Sequence, residues 1–273
     1  MKTFRKIFLI IILISSTSFG GGWIQKQGSG FYKLDFRYLP GKAWYNDKGE
    51  KSNLRIKDIS SGFYGEYGIL DVLTLTANWI PYEKISVDSV SANNSPSEIS
   101  GVGDPGIGFR YLIGNFGNSV LSAAGRIGIP IGKTSKDGEL WLGTGEWNQT
   151  IGLEFGHSFY PTRAYTSTYV YYRNRNEGIS DDVQWGIEGG YSFNEAVSLI
   201  ARFHGLNTLE NGSEDVLAGF AIYSNNQKYI AYGLDLSYKF QSGFGLSAGY
   251  ESGGKGRNII SAAVFSAGIF YTN

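Results

Sequence analysis

The sequence predicts an all-β protein: a transmembrane up-and-down antiparallel β-barrel of about 12 strands. Three observations predict this fold. Glycine (39 residues) and aromatic residues (15%) are abundant while proline (6 residues) is scarce, which is typical of many strands. Most of the chain alternates between apolar and polar residues. After residue 20, no apolar run reaches the roughly 20 residues that a spanning helix needs, and an alternating chain crosses lipid only as a closed barrel.

Residues 1–20 predict a secretory signal peptide. Basic residues within positions 2–6 precede the apolar run 7–14, and a small residue, Gly20, lies near the expected cleavage point. The alternative, a membrane anchor, needs a longer run of roughly 20 apolar residues. We therefore predict that cleavage leaves residues 21–273 as an outer-membrane β-barrel domain, located in the outer membrane of a Gram-negative bacterium.

The alternation has a period of two over long stretches. From Trp147 to Phe159, mainly apolar residues at odd positions face small or polar residues at even positions, and the same pattern recurs over 32–38, 183–193 and 230–240. Because a strand places alternate side chains on opposite faces, one face is apolar and aromatic while the other carries glycine, hydroxyls and charge. Strands of roughly 10–13 residues with aromatic ends exceed the soluble average of five or six and suit a membrane barrel.

The pattern predicts twelve strands, joined alternately by short turns and longer polar loops. They are 30–39, 60–69, 71–82, 105–113, 119–131, 147–159, 163–174, 182–193, 196–207, 227–240, 243–252 and 258–271. The longer loops are 40–59, 83–104, 132–146, 175–181, 208–226 and 253–257. In outer-membrane barrels the short turns are periplasmic, which places both termini there. The segment 216–223 is too apolar for a free loop: it either folds over the barrel mouth or belongs to extra strands that make fourteen.

Composition and motifs exclude several functions. With no cysteine, the chain has no disulfide, thiol chemistry or cysteine-bound metal, and its 24 basic and 24 acidic residues leave no basic excess for nucleic acid. The stretch 101–106 matches G-x-G-x-x-G, but a strand comes after it instead of a helix, so no dinucleotide is predicted. His157 is expected on the outward face near a periplasmic turn and His204 in the lumen. Neither suggests a metal ligand or catalytic group, so no cofactor, metal or catalytic residue is expected.

The inward face carries the charge. The residues predicted to line the lumen are Lys33, Asp35, Arg37, Glu66, Arg110, Arg126, Glu154, Glu188, Arg202, His204, Asp235, Lys239 and Glu251. Their charges balance, which disfavours strong selection for anions or cations. Glycines on the same inward rows thin the wall and favour some room inside. The aromatic residues predicted at the mouth are Trp44, Tyr45, Trp141 and Trp147, which suit either contact with a ring-bearing solute or anchoring at the membrane interface.

Glycine-rich segments carry a family resemblance. Trp23 with GSGF at 28–31, GVGDPG at 101–106, PIGK at 130–133 and LGTGEW at 142–147 occur in that order. On these segments, the chain resembles outer-membrane transporter-like proteins labelled "MetA-pathway of phenol degradation", from about residue 23 to its end. The resemblance implies an outer-membrane barrel that takes up small, often aromatic, compounds, and it supplies no catalytic residues.

Three functions remain open. The first is a channel for passive uptake of small, aromatic or hydrophobic, solutes; the second is a structural or surface-interaction barrel with a plugged lumen; the third is a membrane enzyme built on His157 or His204. The expected partners are outer-membrane lipid, the barrel-assembly machinery and a small solute, but not nucleic acid. A plugged lumen predicts a paired network of Arg110, Arg126 and Arg202 with Glu154, Glu188 and Asp235.

Overall fold

The computed structural model describes residues 21–88, 97–135, 139–213 and 222–273. The predicted signal peptide and most of the segment 216–223 lie outside the described residues. Within those ranges, no helix is both long and apolar enough to cross a membrane.

The described chain consists of antiparallel strands. They are β1 (Gly30–Tyr45), β2 (Lys51–Leu70), β3 (Leu73–Asp88), β4 (Ser97–Gly101), β5 (Gly106–Phe116), β6 (Ser119–Gly128), β7 (Asn148–Ser158), β8 (Ala164–Arg175), β9 (Asp182–Ser192), β10 (Val197–Thr208), β11 (Lys228–Lys239), β12 (Phe244–Arg257), β13 (Ile259–Ser261) and β14 (Ala263–Thr272).

The sheet closes into a barrel through β1. One edge of this strand pairs with β14, with Tyr32 opposite Tyr271, and its other edge pairs with β2, with Tyr32 opposite Gly65. Within the described ranges, twelve strands form the closed wall in simple up-and-down order. The short strands β4 and β13 add to the wall at β3 and β1. The predicted all-β barrel of 12 strands is therefore confirmed, and the two extra strands lie elsewhere than 216–223.

Three of the predicted loops were wrong in length. The loop predicted over 40–59 is a turn near Asn46–Glu50, because β1 and β2 continue far beyond the predicted ends. Likewise, β3 and β4 occupy much of 83–104, and β12 occupies 253–257. In these extensions the alternation continues with reversed polarity: Leu54 and Ile56 are buried inside, while their polar neighbours face out. A search for apolar residues on the outward row overlooks such strands.

The wall below these extensions is apolar outside and polar inside. Exposed side chains on the outward rows include Phe36 (70% exposed) and Ile151 (65% exposed), whereas inward Arg110 and Glu154 are each 3% exposed. In a soluble protein this distribution is inverted, since charged side chains are seldom fully buried and large apolar patches seldom exposed. Lipid around the wall and a closed backbone ladder account for both features.

Aromatic rings pack directly against several of the inward glycines. An ideal Cβ at Gly190 would lie 1.9 Å from Cε1 of Tyr165, and one at Gly152 would lie 2.4 Å from Cδ1 of Tyr171. At Gly186 the ring of Tyr169 occupies the equivalent place. At these three glycines, rings from the neighbouring strand therefore occupy the space that the missing side chains leave.

We expect Gly190→Ala to destabilise the barrel by about 1–3 kcal/mol, since the added methyl displaces the Tyr165 ring. The matched control is Gly189→Ala on the outward row, where the nearest atom to an ideal Cβ is 3.9 Å away. Urea unfolding of both variants in detergent measures the difference. Equal midpoints for the two would show that the ring is not seated on Gly190.

Candidate functional site

The amino-terminal segment, defined here as residues 21–29, lies inside the barrel at the end with the short turns. It begins against β6, β7 and β8 and ends beside β2 and β3, with β5 between these two parts of the wall. Its first residues are attached by Ser122 Oγ to Gly22 O (2.5 Å), Arg110 Nη1 to Trp23 O (3.2 Å), Gln25 N to Thr74 Oγ1 (2.7 Å) and Gln25 Nε2 to Glu66 Oε2 (2.7 Å). Its end is attached by Gln27 N to Asp71 Oδ1 (3.0 Å), by Gly28 N to Gly68 O (2.9 Å) and by Gly68 N to Ser29 O (2.9 Å).

Trp23 is the apolar anchor of the amino-terminal segment. Its ring meets Tyr165 edge-on, with centroids 5.6 Å apart, and lies over Gly156, where an ideal Cβ would be 2.7 Å from the indole. A larger residue than glycine at 156 would displace this ring. The segment is therefore fitted to the wall by both a ring contact and hydrogen bonds.

A buried ion cluster joins the amino-terminal segment to the wall. Arg110 of β5 pairs with Glu66 of β2 (3.1 Å) and with Glu154 of β7, and all three side chains are less than 10% exposed. Tyr64 donates to Glu66 (2.5 Å) and Tyr171 donates to Glu154. One guanidinium thus faces two carboxylates, each of which also accepts a tyrosine hydroxyl, which satisfies charges that are costly to bury alone.

A second cluster repeats this arrangement on the far wall. Arg202 of β10 pairs with Glu188 of β9 (2.8 Å) and with Asp235 of β11, and Tyr165 donates to Glu188 (2.5 Å). Nearby pairs are His204 with Glu251 (3.2 Å) and Lys33 with Asp35 (3.9 Å).

Two adjoining cavities lie in the lumen. The larger, about 450 Å³, is lined by charged side chains including Lys33, Arg37 and Glu251, and by rings such as Tyr169 and Tyr229. The smaller, about 190 Å³, is lined by Tyr64, Arg110, Arg126, Glu154, Tyr169 and Tyr171. Asn78 and Tyr169 line both, so the cavities share a boundary.

The remaining predicted lumen residues lie outside the two ion clusters. Arg37 lines the larger cavity, Arg126 lines the smaller one, and Lys239 lies on β11 near the short-turn end. Arg110 and Arg202 join the expected network, but Arg126 has no ion pair with any described residue.

An apolar cluster fills the outer end of the barrel on the β1–β4 side. It consists of Leu54, Ile56, Ile85, Ile99, Leu140, Leu142 and Ile260, packed by Trp44, Ile222 and Tyr223 among others. Leu142, from the loop between β6 and β7, has no exposed surface. Burial, with the nearby Glu83 carboxylate, raises the pKa of Tyr223 well above its usual range, so its hydroxyl stays protonated and donates to Glu83 (2.9 Å).

The predicted mouth aromatics separate into three environments. Trp44 packs on the apolar cluster, Trp141 is buried beside Ile179, and Trp147 is 49% exposed. The Tyr45 hydroxyl donates to Gly254 O (3.0 Å). Of the segment 216–223, only Ile222 and Tyr223 are described, and both pack against the apolar cluster.

The two histidines lie on different faces. Nδ1 of His157 is 2.7 Å from Ser119 Oγ near the short-turn end, and its ring packs edge-on against Phe159. His204 pairs with Glu251 in the lumen. Among the described residues, no carboxylate bonds to His157, so the third member of a hydrolase triad is missing there. Within the described ranges, no group of three metal-ligating side chains occurs.

Sequence reasoning missed the tyrosines and the amino-terminal segment. Tyr169 and Tyr171 alternate with Val170 and Tyr172, so one of the two rows had to face inward. That signal was available, because four large side chains in succession cannot all face lipid. The inward place of residues 21–29 had no periodic signal.

Comparisons with known proteins agree with this architecture. No family model matches the chain, and neither does any curated protein. The crystal structure of the COG4313 outer membrane channel from Pseudomonas putida F1 superimposes with a TM-score of 0.72 at 14% identity, covering 94% of this chain and 100% of that one. The fold is that of an outer-membrane β-barrel. The NanC porin structure has a TM-score of 0.51 at 10% identity, covering 87% and 98% of the two chains.

The barrel therefore lies in the outer membrane of a Gram-negative bacterium, with its apolar outward rows in contact with lipid. The resemblance to the phenol-degradation family stays a prediction, since no family model matches.

Proposed function

We propose that this outer-membrane barrel is a channel for passive uptake of small, aromatic or hydrophobic solutes, with the amino-terminal segment as the removable obstruction at its periplasmic end. The observation that carries the proposal is the pair of adjoining cavities in the lumen, the smaller of which is lined by Arg110, the donor to Trp23 O. A barrel filled solely for stability needs no such space, because protein interiors are close-packed.

The attachment of the amino-terminal segment supports a gate more than a permanent plug. Strands of the wall are held by continuous ladders, whereas the segment makes one isolated bridge, between Gln27 and Gly68, besides its separate hydrogen bonds. Few backbone bonds and one anchoring ring mean that the segment opens at a lower free-energy cost than the wall.

The cavity lining supports the solute class. Val264, Tyr169 and Tyr229 contribute apolar and ring surface to the larger cavity, and Tyr64, Tyr169 and Tyr171 border the smaller one. A solute that pairs a ring with a polar group matches such a lining, because pockets for small molecules combine aromatic walls with a few placed polar groups.

The second candidate is a structural barrel with a permanently plugged lumen. The apolar cluster and the two buried ion clusters favour it, since both fill the interior with satisfied contacts. The two candidates predict different solute flux once the amino-terminal segment is removed.

Vesicle flux separates the two candidates. Full-length and shortened barrels, the latter beginning at residue 28, are refolded without the leader, reconstituted, and tested with phenyl and methyl β-glucosides. We expect the shortened barrel to admit both, and the phenyl compound faster despite its size. No flux above empty vesicles from either barrel would contradict the channel and support the plugged barrel, whereas faster methyl glucoside would contradict the aromatic preference alone.

A further inference from the structure

Arg126 is one of two lumen arginines that form no ion pair with the described residues, the other being Arg37. Arg110, Arg173, Arg175 and Arg202 each pair with one or two carboxylates. Arg126 makes no hydrogen bond or ion pair with any residue in the described part of the chain. Burying a guanidinium without a counter-charge costs free energy. The Arg126 cation therefore needs either a negatively charged partner or contact with water.

The position of Arg126 places its charge in the smaller cavity. The side chain leaves β6 and lies across the inner surface of β5, where an ideal Cβ at Gly106 or Gly108 would be 3.1 Å from it. Because both positions are glycine, no side chain there prevents the arginine from packing against β5. The Arg126 side chain lines the cavity of about 190 Å³, beside space that a ligand can enter.

The other unpaired lumen arginine has a different environment. Arg37 lies among the carboxyl groups of Asp35, Asp58 and Glu83. The groups around Arg126 are Tyr64, Tyr171, a second cation at Arg173, and Glu154. Glu154 is already paired with Arg110. Arg126 therefore has one neighbouring carboxylate, Glu154, and that carboxylate is bonded to Arg110 and Tyr171.

Rings complete the site. Tyr169 and Tyr171 stack with centroids 4.9 Å apart, and both line the cavity that Arg126 enters. A volume of about 190 Å³ exceeds the roughly 150 Å³ cavity that holds a benzene molecule in a protein core. The space therefore accommodates one six-membered ring together with a small polar group.

We propose that Arg126 and this cavity form a binding site for a small aromatic carboxylate, as the solute-recognition site of the proposed channel. The guanidinium receives the carboxylate through paired N–H donors, a geometry that arginine offers and lysine does not. The ring lies among Tyr64, Tyr169 and Tyr171. The role of this site in solute recognition rests on the proposed function. Binding of the carboxylate at the site is measured separately, without a transport assay.

Calorimetric titration of the full mature chain in detergent with benzoate, acetate and benzyl alcohol tests the site. We expect saturable binding of benzoate, weaker binding of acetate, and none of benzyl alcohol at the same concentrations. Arg126→Met should weaken benzoate at least about tenfold, the usual effect of losing a charged hydrogen-bonding group. Arg126→Lys should recover part of the affinity, since it retains charge without the paired donors.

Several outcomes overturn the site. They are undiminished benzoate binding by Arg126→Met, equal binding of benzyl alcohol or acetate, and absence of saturable binding by the unchanged chain. A tenfold loss of benzoate affinity in Arg37→Met, with no loss in Arg126→Met, would show that benzoate binds in the larger cavity. That result would also overturn the assignment. Glucoside flux without benzoate binding would leave the channel standing and remove only this site.

Stability gives a second readout. Because Arg126 has no partner among the described residues, Arg126→Met should unfold at the same or higher urea concentration than the unchanged chain. A clear loss of stability would show that Arg126 holds the wall together, which contradicts a ligand-directed role.

Discussion

Removal of residues 22–27 is expected to raise solute flux through the barrel several-fold. This stretch carries Trp23 and Gln25, which contact Tyr165 on β8 and Thr74 on β3. Without it, Arg110, which lines the smaller cavity, loses its contact with Trp23 O. Refolding the shortened chain without residues 1–20, the predicted signal peptide, avoids any effect on secretion, and glucoside entry into vesicles measures the change.

Point variants within the amino-terminal segment provide matched controls. Trp23→Gly with Gln25→Gly removes both anchors and should give part of the increase, because the chain stays present but is less firmly held. Lys26→Gly changes an exposed side chain and should leave flux unchanged. An equal increase in Lys26→Gly would mean that general loosening of the chain, and not release from the wall, admits the solute.

Arg110→Met is expected to destabilise the barrel by about 3–5 kcal/mol, because it leaves the buried carboxylates of Glu66 and Glu154 without their cation. It also removes the donor to Trp23 O, which weakens the attachment of the amino-terminal segment. Urea unfolding in detergent measures the stability loss, and glucoside entry should rise in the same variant.

The control for Arg110 is Arg257→Met, which breaks a partly exposed pair with Glu210 and should cost no more than about 1 kcal/mol. Adding Glu66→Gln and Glu154→Gln to Arg110→Met should restore most of the stability, since the carboxylates then no longer need a cation. Equal shifts for Arg110→Met and Arg257→Met would show that the buried cluster contributes little.

The lipid-facing part of the fold was predictable from the sequence. Along β7, β9 and β11 the apolar residues recur at every second position. Every second side chain faces lipid, and lipid requires an apolar side chain at each of these positions. The twelve strands and the short turns are predictable from that repetition. The extension of β2 was not predicted, because beyond the lipid its outward row becomes polar while Ile56 turns apolar inward.

The interior was less predictable, since its contacts depend on which strands lie opposite one another. The pairing of Arg110 with Glu154 was expected. The pairing of Arg110 with Glu66 was not predictable, because Glu66 lies on β2, on the other side of β3 from Arg110. Trp23 lies 133 residues before Gly156 in the chain, and only the closed barrel brings its ring onto that glycine. The period of the sequence predicts which side of a strand each residue occupies. It does not predict which residues meet in the lumen, because those contacts join residues far apart in the chain.

The most direct measurement is the accessibility of a thiol placed in the larger cavity. The chain has no cysteine, so Ser266→Cys introduces a single thiol at a position that lines this cavity. Its labelling by a water-soluble maleimide is measured over time in the full-length barrel and in the barrel that begins at residue 28. If the amino-terminal segment obstructs the lumen, labelling of the shortened barrel should be much faster. Equal rates in the two barrels would contradict an obstruction by that segment.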